Sequence, residues 1–488
     1  MDTLLQAELF EGDGAYDAIG AAVCARMPGA DRRSRGITLT PQWLVELMLR
    51  RLVSHGSFEN IVDAGAGSGR FCIAAARLFP SARIWAVERD DDMCAALRAN
   101  LAAQGLEYRV HVVQGDYRDV PLPLKGRTAF VGNPPFVRHH DIEPAWKRWY
   151  ATAMAQLGQK ASQLAGLHLH FMARTAQVAR SGDRVCLVTS AEWLDNGYGA
   201  SWRRLLSSPS APMSLAGLWV APPQQAVFPD ALVSALVLEA ACGASAAVSV
   251  GLIAGQALQT SRVLPLSQLA AVSRWTELCQ TEIDAPAVGV ELGELFRVTR
   301  GQVTGLNQAW VLTPQSDLLP QRLTVAVVTR AKEIIDGTVE GADALLRLRR
   351  LPNLPADLSQ LPESAQASVK AFLARAHAQG AADGYVARQR RAWYALDPRP
   401  APAAMVSYMG RRPPVFRTNP HGASYLNIAH GLYPRQEMPA AQLQRVLDHL
   451  NTHTRMGAGR MYGGGMAKFE PSDVSRLRIP GAVLEPLV

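Results

Sequence analysis

The chain has 488 residues, 48% of them hydrophobic, with 50 basic against 42 acidic side chains, a net charge of +8 and a pI near 9.3. That length predicts two or more domains with sizeable cores, and no apolar run approaches a membrane span while Met1-Asp2-Thr3-Leu4-Leu5 lacks a signal-peptide n-region, so a cytoplasmic chain without membrane contact is expected. The six cysteines, Cys24, Cys72, Cys94, Cys186, Cys242 and Cys279, form no C-x-x-C pair, which favours small buried hydrophobes over disulfides or a zinc site.

The first clear element is an apolar strand, Ile61-Val62-Asp63-Ala64, running into a turn that holds Gly65, Gly67 and Gly69. An Ala-rich helix from Phe71 to Leu78 follows. Glycines there allow positive φ and close approach of backbone to a ligand. A second strand, Arg83 to Val87, ends in Glu88, 23 residues after Gly65, where a carboxylate is placed to accept from the ribose hydroxyls of a nucleoside cofactor. A third, Arg109 to Val113, leads to Gly115-Asp116-Tyr117: a carboxylate suited to an adenine amino group, with an aromatic ring beside it. The D-x-G-x-G-x-G spacing differs from G-x-G-x-x-G and argues against NAD.

A fourth strand, Arg127 to Gly132, ends in Asn133-Pro134-Pro135-Phe136. Such a turn suits attack by an exocyclic amine, whose lone pair is delocalised until its hydrogens are held. Asn133 Oδ1 and the Pro134 carbonyl offer two acceptors, the prolines fix φ and remove N–H groups, and Phe136 offers a face for stacking. Plain turn punctuation is the competing reading. Its place as the fourth strand end, after the glycine turn, Glu88 and Asp116, favours chemistry.

Next comes Val137-Arg138-His139-His140-Asp141, where adjacent histidines point apart and no third ligand is placed by spacing, so no metal is expected. A helix over 164–179, a strand over 183–189, a helix around Trp202 to Leu206 and a final strand over 231–238 complete this half. Small residues at 241–245 mark a transition.

These residues resemble the γ-group amino-methyltransferases of bacterial restriction–modification systems, which methylate adenine N6 in DNA from S-adenosylmethionine. The resemblance implies an α/β fold, a class I methyltransferase with a Rossmann-like seven-stranded sheet, and a C-terminal mixed α+β target-recognition domain. Gly36 to Pro41, with Thr40, matches the segment that closes over the methionine end of the cofactor, and an amphipathic helix (Trp43, Leu44, Leu47, Met48) follows it. Asp63, Gly65, Gly67, Gly69, Glu88, Asp116 and Tyr117 match the cofactor motifs, and Asn133 to Phe136 the catalytic one; Ala64 departs from a proline often found there. Phe228 matches an aromatic that sandwiches the target base against Phe136, with a core phenylalanine as the other reading. The implied domains are a 1–35 extension, a 36–245 catalytic domain, a 246–290 connector and a 291–488 DNA-recognition domain.

The basic charge fits a polyanion, although Arg and Ala richness also follows from a G+C-rich genome. Between Arg388 and Arg417, arginines including Arg388, Arg390, Arg411 and Arg412 alternate with Trp393, Tyr394, Tyr408 and Phe416, which reads as a DNA-facing stripe or a solvated face. Arg138 and His139 are expected near the extruded base, and Arg300, Arg460 and Lys468, beside glycine-rich turns, near phosphates. Helices around 365–377 and 441–450 are expected as scaffolding. The expected enzyme is a monomeric DNA adenine methyltransferase acting on double-stranded DNA, beside a possible restriction endonuclease on a separate chain; no nuclease motif appears in this one. Cytosine N4 and protein glutamine methylation are the alternatives, with an inactive DNA-binding subunit a third.

Overall fold

Nine strands of the N-terminal half hydrogen-bond into one sheet, and its interior members Asn60–Ala64 and Thr128–Gly132 are buried along their whole length because both faces are covered. The computed structural model describes residues 17–222, 225–228, 234–243, 245–279, 289–462 and 465–485. The chain divides into two units, residues 1–283 with 462–464, and 284–461 with 465–488.

In the first unit the strands are β1 (Asn60–Ala64), β2 (Arg83–Glu88), β3 (Val110–Gln114), β4 (Thr128–Gly132), β5 (Arg184–Ser190), β6 (Ser214–Val220), β7 (Ala235–Ala241), β8 (Ala247–Ala254) and β9 (Ala257–Pro265). Their order is β3-β2-β1-β4-β5-β7-β6-β8-β9. β1 to β5 are parallel, and β7 runs antiparallel between β5 and β6. The seven expected strands are therefore present, extended by β8 and β9 from the segment expected as a connector. β9 is an edge strand that exposes Gln259, Thr260 and Val263, and its Gln259-Thr260-Ser261-Arg262 run reads as linker when taken alone. Of the strand expected over 231–238, residues 231–233 lie outside the described residues, and the strand itself begins at Ala235.

Strand order reverses between β1 and β4, and at such a switch point the loops leave a crevice at the carboxyl ends of the strands. Asp63 pairs in register with Val131, so the glycine turn and the Asn-Pro-Pro-Phe turn emerge side by side.

Seven helices flank this region: α1 (Ala18–Arg26), α2 (Gly29–Arg35), α3 (Gln42–Val53), α4 (Arg70–Leu78), α5 (Asp91–Ala103), α6 (Pro144–Gln156) and α7 (Leu167–Val178). Of the residues expected as an N-terminal extension, 17–35 are built into the unit, and 1–16 lie outside the described residues. Buried Asp17 accepts from Gly20 N, Ser68 Oγ, Arg70 Nε and Asn100 Nδ2 at 2.6–2.9 Å, tying the start of α1 to the glycine turn, α4 and α5. Tyr150, Phe171, Trp193 and Trp202 fill one core cluster, and Leu44, Met48, Phe71 and Trp219 fill another. Among the described residues no helix is long and apolar enough to cross a membrane, and all six cysteines are buried and unpaired in disulfides.

The second unit is mixed α+β. Strands 296–300, 429–434, 404–407 and 416–418 form an antiparallel sheet, and 349–352, 324–328 and 424–425 a smaller one. Helix Glu363–Ala378 buries Val369 and Phe372 against Trp310, and helix Ala440–His453 buries Val446 and Leu450 with Phe296 and Phe416. Both are the scaffolding helices expected.

Candidate active site

A cavity of about 230 Å³ opens at the switch point, lined by Gly65, Gly67, Glu88, Asp116, Tyr117, Asn133 and Pro135, among others. Two of the lining glycines adopt a left-handed backbone that L side chains rarely take up. Gly65 and Gly67 have φ of +77° and +55°, and a Cβ on Gly65 would stand 3.5 Å from Pro135 Cδ. Gly69, at φ +100°, faces away: a Cβ there would meet Leu97 at 2.5 Å, so it serves helix packing and does not line the cavity.

The carboxylates divide by role. Asp63 is fully buried off the cavity; its Oδ2 accepts from Cys72 N at 3.1 Å and fixes the first turn of α4. Burial pushes its carboxyl up to about 8. Glu88 lines the cavity, and three backbone amides, Gly67 N, Arg89 N and Asp90 N, occupy three of its acceptor positions at 2.7–2.8 Å. Burial still raises its pKa, and one lone-pair position on Oε2 is left for a ligand hydroxyl. Asp116 accepts from the Arg118 amide, Nε and Nη2 at 2.6–3.0 Å. Burial works to raise its pKa, but the hydrogen bonds and charge of Arg118 hold it below the usual carboxylate range.

Asn133 donates from Nδ2 to the Thr38 carbonyl at 3.3 Å, while Oδ1 is buried and has no partner. An unpaired buried amide oxygen costs about 1–3 kcal/mol unless a ligand supplies the donor. Thr38 belongs to the 36–41 segment, and residues 36–39 line the cavity. Thr40 does not: it is buried, and its carbonyl takes Nη1 of Arg70.

Two aromatic expectations change. Tyr117 is 1% exposed, its hydroxyl bonds Thr175 Oγ1 at 3.0 Å, and burial pushes its pKa to about 12, so it is a packed wall and not a free ring. Phe228 is 1% exposed and meets Phe136 edge-on with centroids 5.8 Å apart. A base between parallel rings needs about 7 Å, two van der Waals separations; the structure packs Phe228 into the core against Phe136 with no such gap between the two rings.

Residues that motif reading missed also stand here. Trp146 lines the cavity beneath the Arg118 guanidinium, whose carbon lies 3.7 Å from its ring centroid. His168 lies 6.4 Å from Phe136, neither ring nitrogen is paired, and burial lowers its pKa to about 4. Neither lies in a recognisable motif; His168 falls in the helix expected over 164–179, and the helix that carries Trp146 was not among the expected elements.

Of the basic residues, Arg138, Arg388, Arg411 and Arg412 are exposed and His139 is half-buried. Arg300 donates to Tyr408 Oη at 3.2 Å. Arg460 and Lys468 are already paired, with Asp473 at 3.2 Å and Glu470 at 2.6 Å. The stripe between Arg388 and Arg417 is not continuous, because Trp393 and Phe416 pack in cores and Arg390 caps the Val303, Thr304 and Trp393 carbonyls. Gly463 and Gly464 lie outside the described residues.

Family models extend this geometry. That for the C-terminal domain of the type II methyltransferase M.Eco57I matches residues 278–486, a general methyltransferase domain matches 61–157, and the Eco57I restriction-modification methylase matches 126–212. The chain is 42% identical over 451 residues to the Type II methyltransferase M.XamI of Xanthomonas campestris pv. amaranthicola, covering 91% of this chain and 85% of that one. It belongs to the type II methyltransferases of restriction–modification systems. A release factor glutamine methyltransferase of Gloeobacter violaceus is 37% identical over only 83 residues, 17% of this chain and 29% of that protein. The type IIL restriction-modification enzyme MmeI, solved in complex with DNA, aligns with a TM-score of 0.60 at 12% identity over 96% of this chain and 70% of that one, which shows a shared fold.

The cofactor of this methyltransferase is S-adenosylmethionine, and the cavity's donor set fits it. The glycine backbone, the free Oε2 position of Glu88 and the carboxylate of Asp116 suit a nucleoside, and Asn133, whose buried Oδ1 has no partner, lines the same cavity.

Proposed function

We propose that this methyltransferase modifies adenine N6 in double-stranded DNA, as a member of the γ group, after extruding the base from the helix. The observation that carries the reading is the Asn133 amide, turned by Thr38 so that Oδ1 is a fixed acceptor without a donor. An amine nitrogen that gives one hydrogen to Oδ1 and the other to the Pro134 carbonyl recovers lone-pair density. S-adenosylmethionine, when bound, supplies a methyl on a sulfonium sulfur, which already carries its leaving group. The chain therefore supplies positioning and polarisation. Phe136 gives the extruded base a stacking face worth about 1–3 kcal/mol, against a flipping cost of a few kcal/mol.

On this reading residues 36–245 carry the transfer chemistry and 291–488 recognise the target, with exposed Arg138, Arg388 and Arg412 on phosphates or bases. The match of 278–486 to the C-terminal domain of a type II methyltransferase supports that division. A separate endonuclease chain and a monomeric, cytoplasmic state belong to the same proposal. Tritium transfer to duplex DNA followed by mass analysis of the hydrolysed nucleosides tests it: N6-methyladenine is expected, N4-methylcytosine would overturn the base assignment, and label on protein would overturn the substrate.

A further inference from the structure

Arg118 is only two residues from Asp116 yet is 2% exposed, and an arginine so deeply placed beside a ligand cavity needs an account. Its guanidinium has three neighbours. Nε and Nη2 grip both oxygens of Asp116 at 2.8 and 2.6 Å. The plane lies over Trp146, 3.7 Å from the ring centroid. Nη1 reaches Nδ1 of His170 at 3.4 Å, and that imidazole is stacked on Tyr150 with centroids 4.3 Å apart. Asp116, Arg118 and Trp146 all line the cavity.

A carboxylate has about four acceptor positions. On Asp116 the Arg118 side chain takes one on each oxygen, and the Arg118 amide a second on Oδ1. The remaining position on Oδ2 meets only exposed Arg89 at 3.5 Å, a contact easily exchanged. The carboxylate is thus locked in rotation with one acceptor open.

We propose that Arg118, stacked on Trp146, is a positioning residue that holds the Asp116 carboxylate with Oδ2 directed at the amino group of the cofactor's adenine. The selectivity for a 6-amino over a 6-oxo purine then depends on residues that touch Asp116 and not on Asp116 alone. The inference rests on the reading of the cavity as the cofactor site.

Calorimetric titration of the full chain with S-adenosylhomocysteine and S-inosylhomocysteine separates the possibilities. The native chain is expected to prefer the adenosyl compound by about tenfold or more, the scale of one hydrogen bond to a charged group. Arg118→Leu should cut that preference to within about threefold, chiefly by losing affinity for the adenosyl compound, with Arg118→Lys intermediate. A folded Arg118→Leu chain that loses affinity for both compounds alike, or keeps the native preference, overturns the proposal. Should Arg118→Leu fail to fold, Trp146→Leu at its half-buried position decides: a reduced preference supports the clamp, and an unchanged one overturns it. Equal native affinity for the two compounds sinks the inference while leaving the cofactor site standing; no affinity for either removes both.

Discussion

The side chain of Asn133 is held by a residue 95 positions earlier in the chain, for its Nδ2 donates to the Thr38 carbonyl at 3.3 Å and leaves Oδ1 buried without a donor. The tether makes a substitution of nearly equal size informative. Asn133→Asp places a carboxylate oxygen against the Thr38 carbonyl, so the side chain must rotate away. We predict that methyl transfer falls about 10²- to 10³-fold or more, as for loss of a preorganised polar group. Cofactor affinity should change less than about threefold. Single-turnover tritium transfer beside calorimetry checks both, and near-native transfer would sink the role given to Oδ1.

Gly36 sets where that tether runs. It has φ +72°, and a Cβ there would stand 2.8 Å from both Pro135 Cβ and Val137 Cγ2. Gly36→Ala therefore combines the left-handed penalty of about 1–2 kcal/mol with displacement of the catalytic turn. Urea unfolding should show that loss of stability, and transfer should fall further than stability alone explains. A variant with native unfolding and native transfer would show that the segment does not press on the turn.

Much of this was legible because parallel strands buried on both faces appear as short apolar runs, and each run from β1 to β4 ends in the residue that reaches the cavity. What stayed hidden depends on distance along the chain or on edge chemistry. Asp17 joins partners up to 83 positions away, Trp146 meets the cavity and the Arg118 guanidinium only once the chain is folded, and β9 carries the polar run Gln259 to Arg262. Phe228 was placed by motif order, yet order does not say which face of Phe136 it covers.

The Asp17 junction yields a stability prediction. Its carboxylate is completely buried and accepts four donors, including Nε of Arg70, whose own side chain is 13% exposed. Asp17→Ala strands those donors, and breaking a buried pair from one side costs about 3–5 kcal/mol. Equilibrium urea unfolding should show a loss in that range, with hydrogen exchange in α1 rising first. A loss below about 1 kcal/mol would mean that water or a neighbour replaces the carboxylate.

Asp63 gives a pH dependence. Its folded pKa is raised from 3.8 to about 8 by burial, so the native state holds a proton that the unfolded chain releases. Its contribution to stability is present in full below about pH 4 and is lost as pH rises toward 8. Asp63→Asn keeps an acceptor for the Cys72 amide but cannot ionise. The difference in unfolding free energy, variant minus native, should therefore grow by about 4–5 kcal/mol between pH 4 and pH 8. A difference flat in pH would show that the native carboxyl is already ionised at neutrality.

The arginines of the second unit should separate into two classes under salt. Arg390 donates to three backbone carbonyls and sits over Trp310, and Arg417 reaches the Ile334 and Ile335 carbonyls and Glu340. Arg388 and Arg412 are exposed. Each phosphate contact contributes about one unit to the slope of log affinity against log salt. Arg388→Ala and Arg412→Ala should each reduce the slope for duplex DNA by about one with unchanged melting temperature. Arg390→Ala and Arg417→Ala should instead lower the melting temperature and leave the slope of the folded protein alone. If the exposed pair leaves the slope untouched, the DNA path across this unit runs elsewhere, and composition will have misled where burial should have decided.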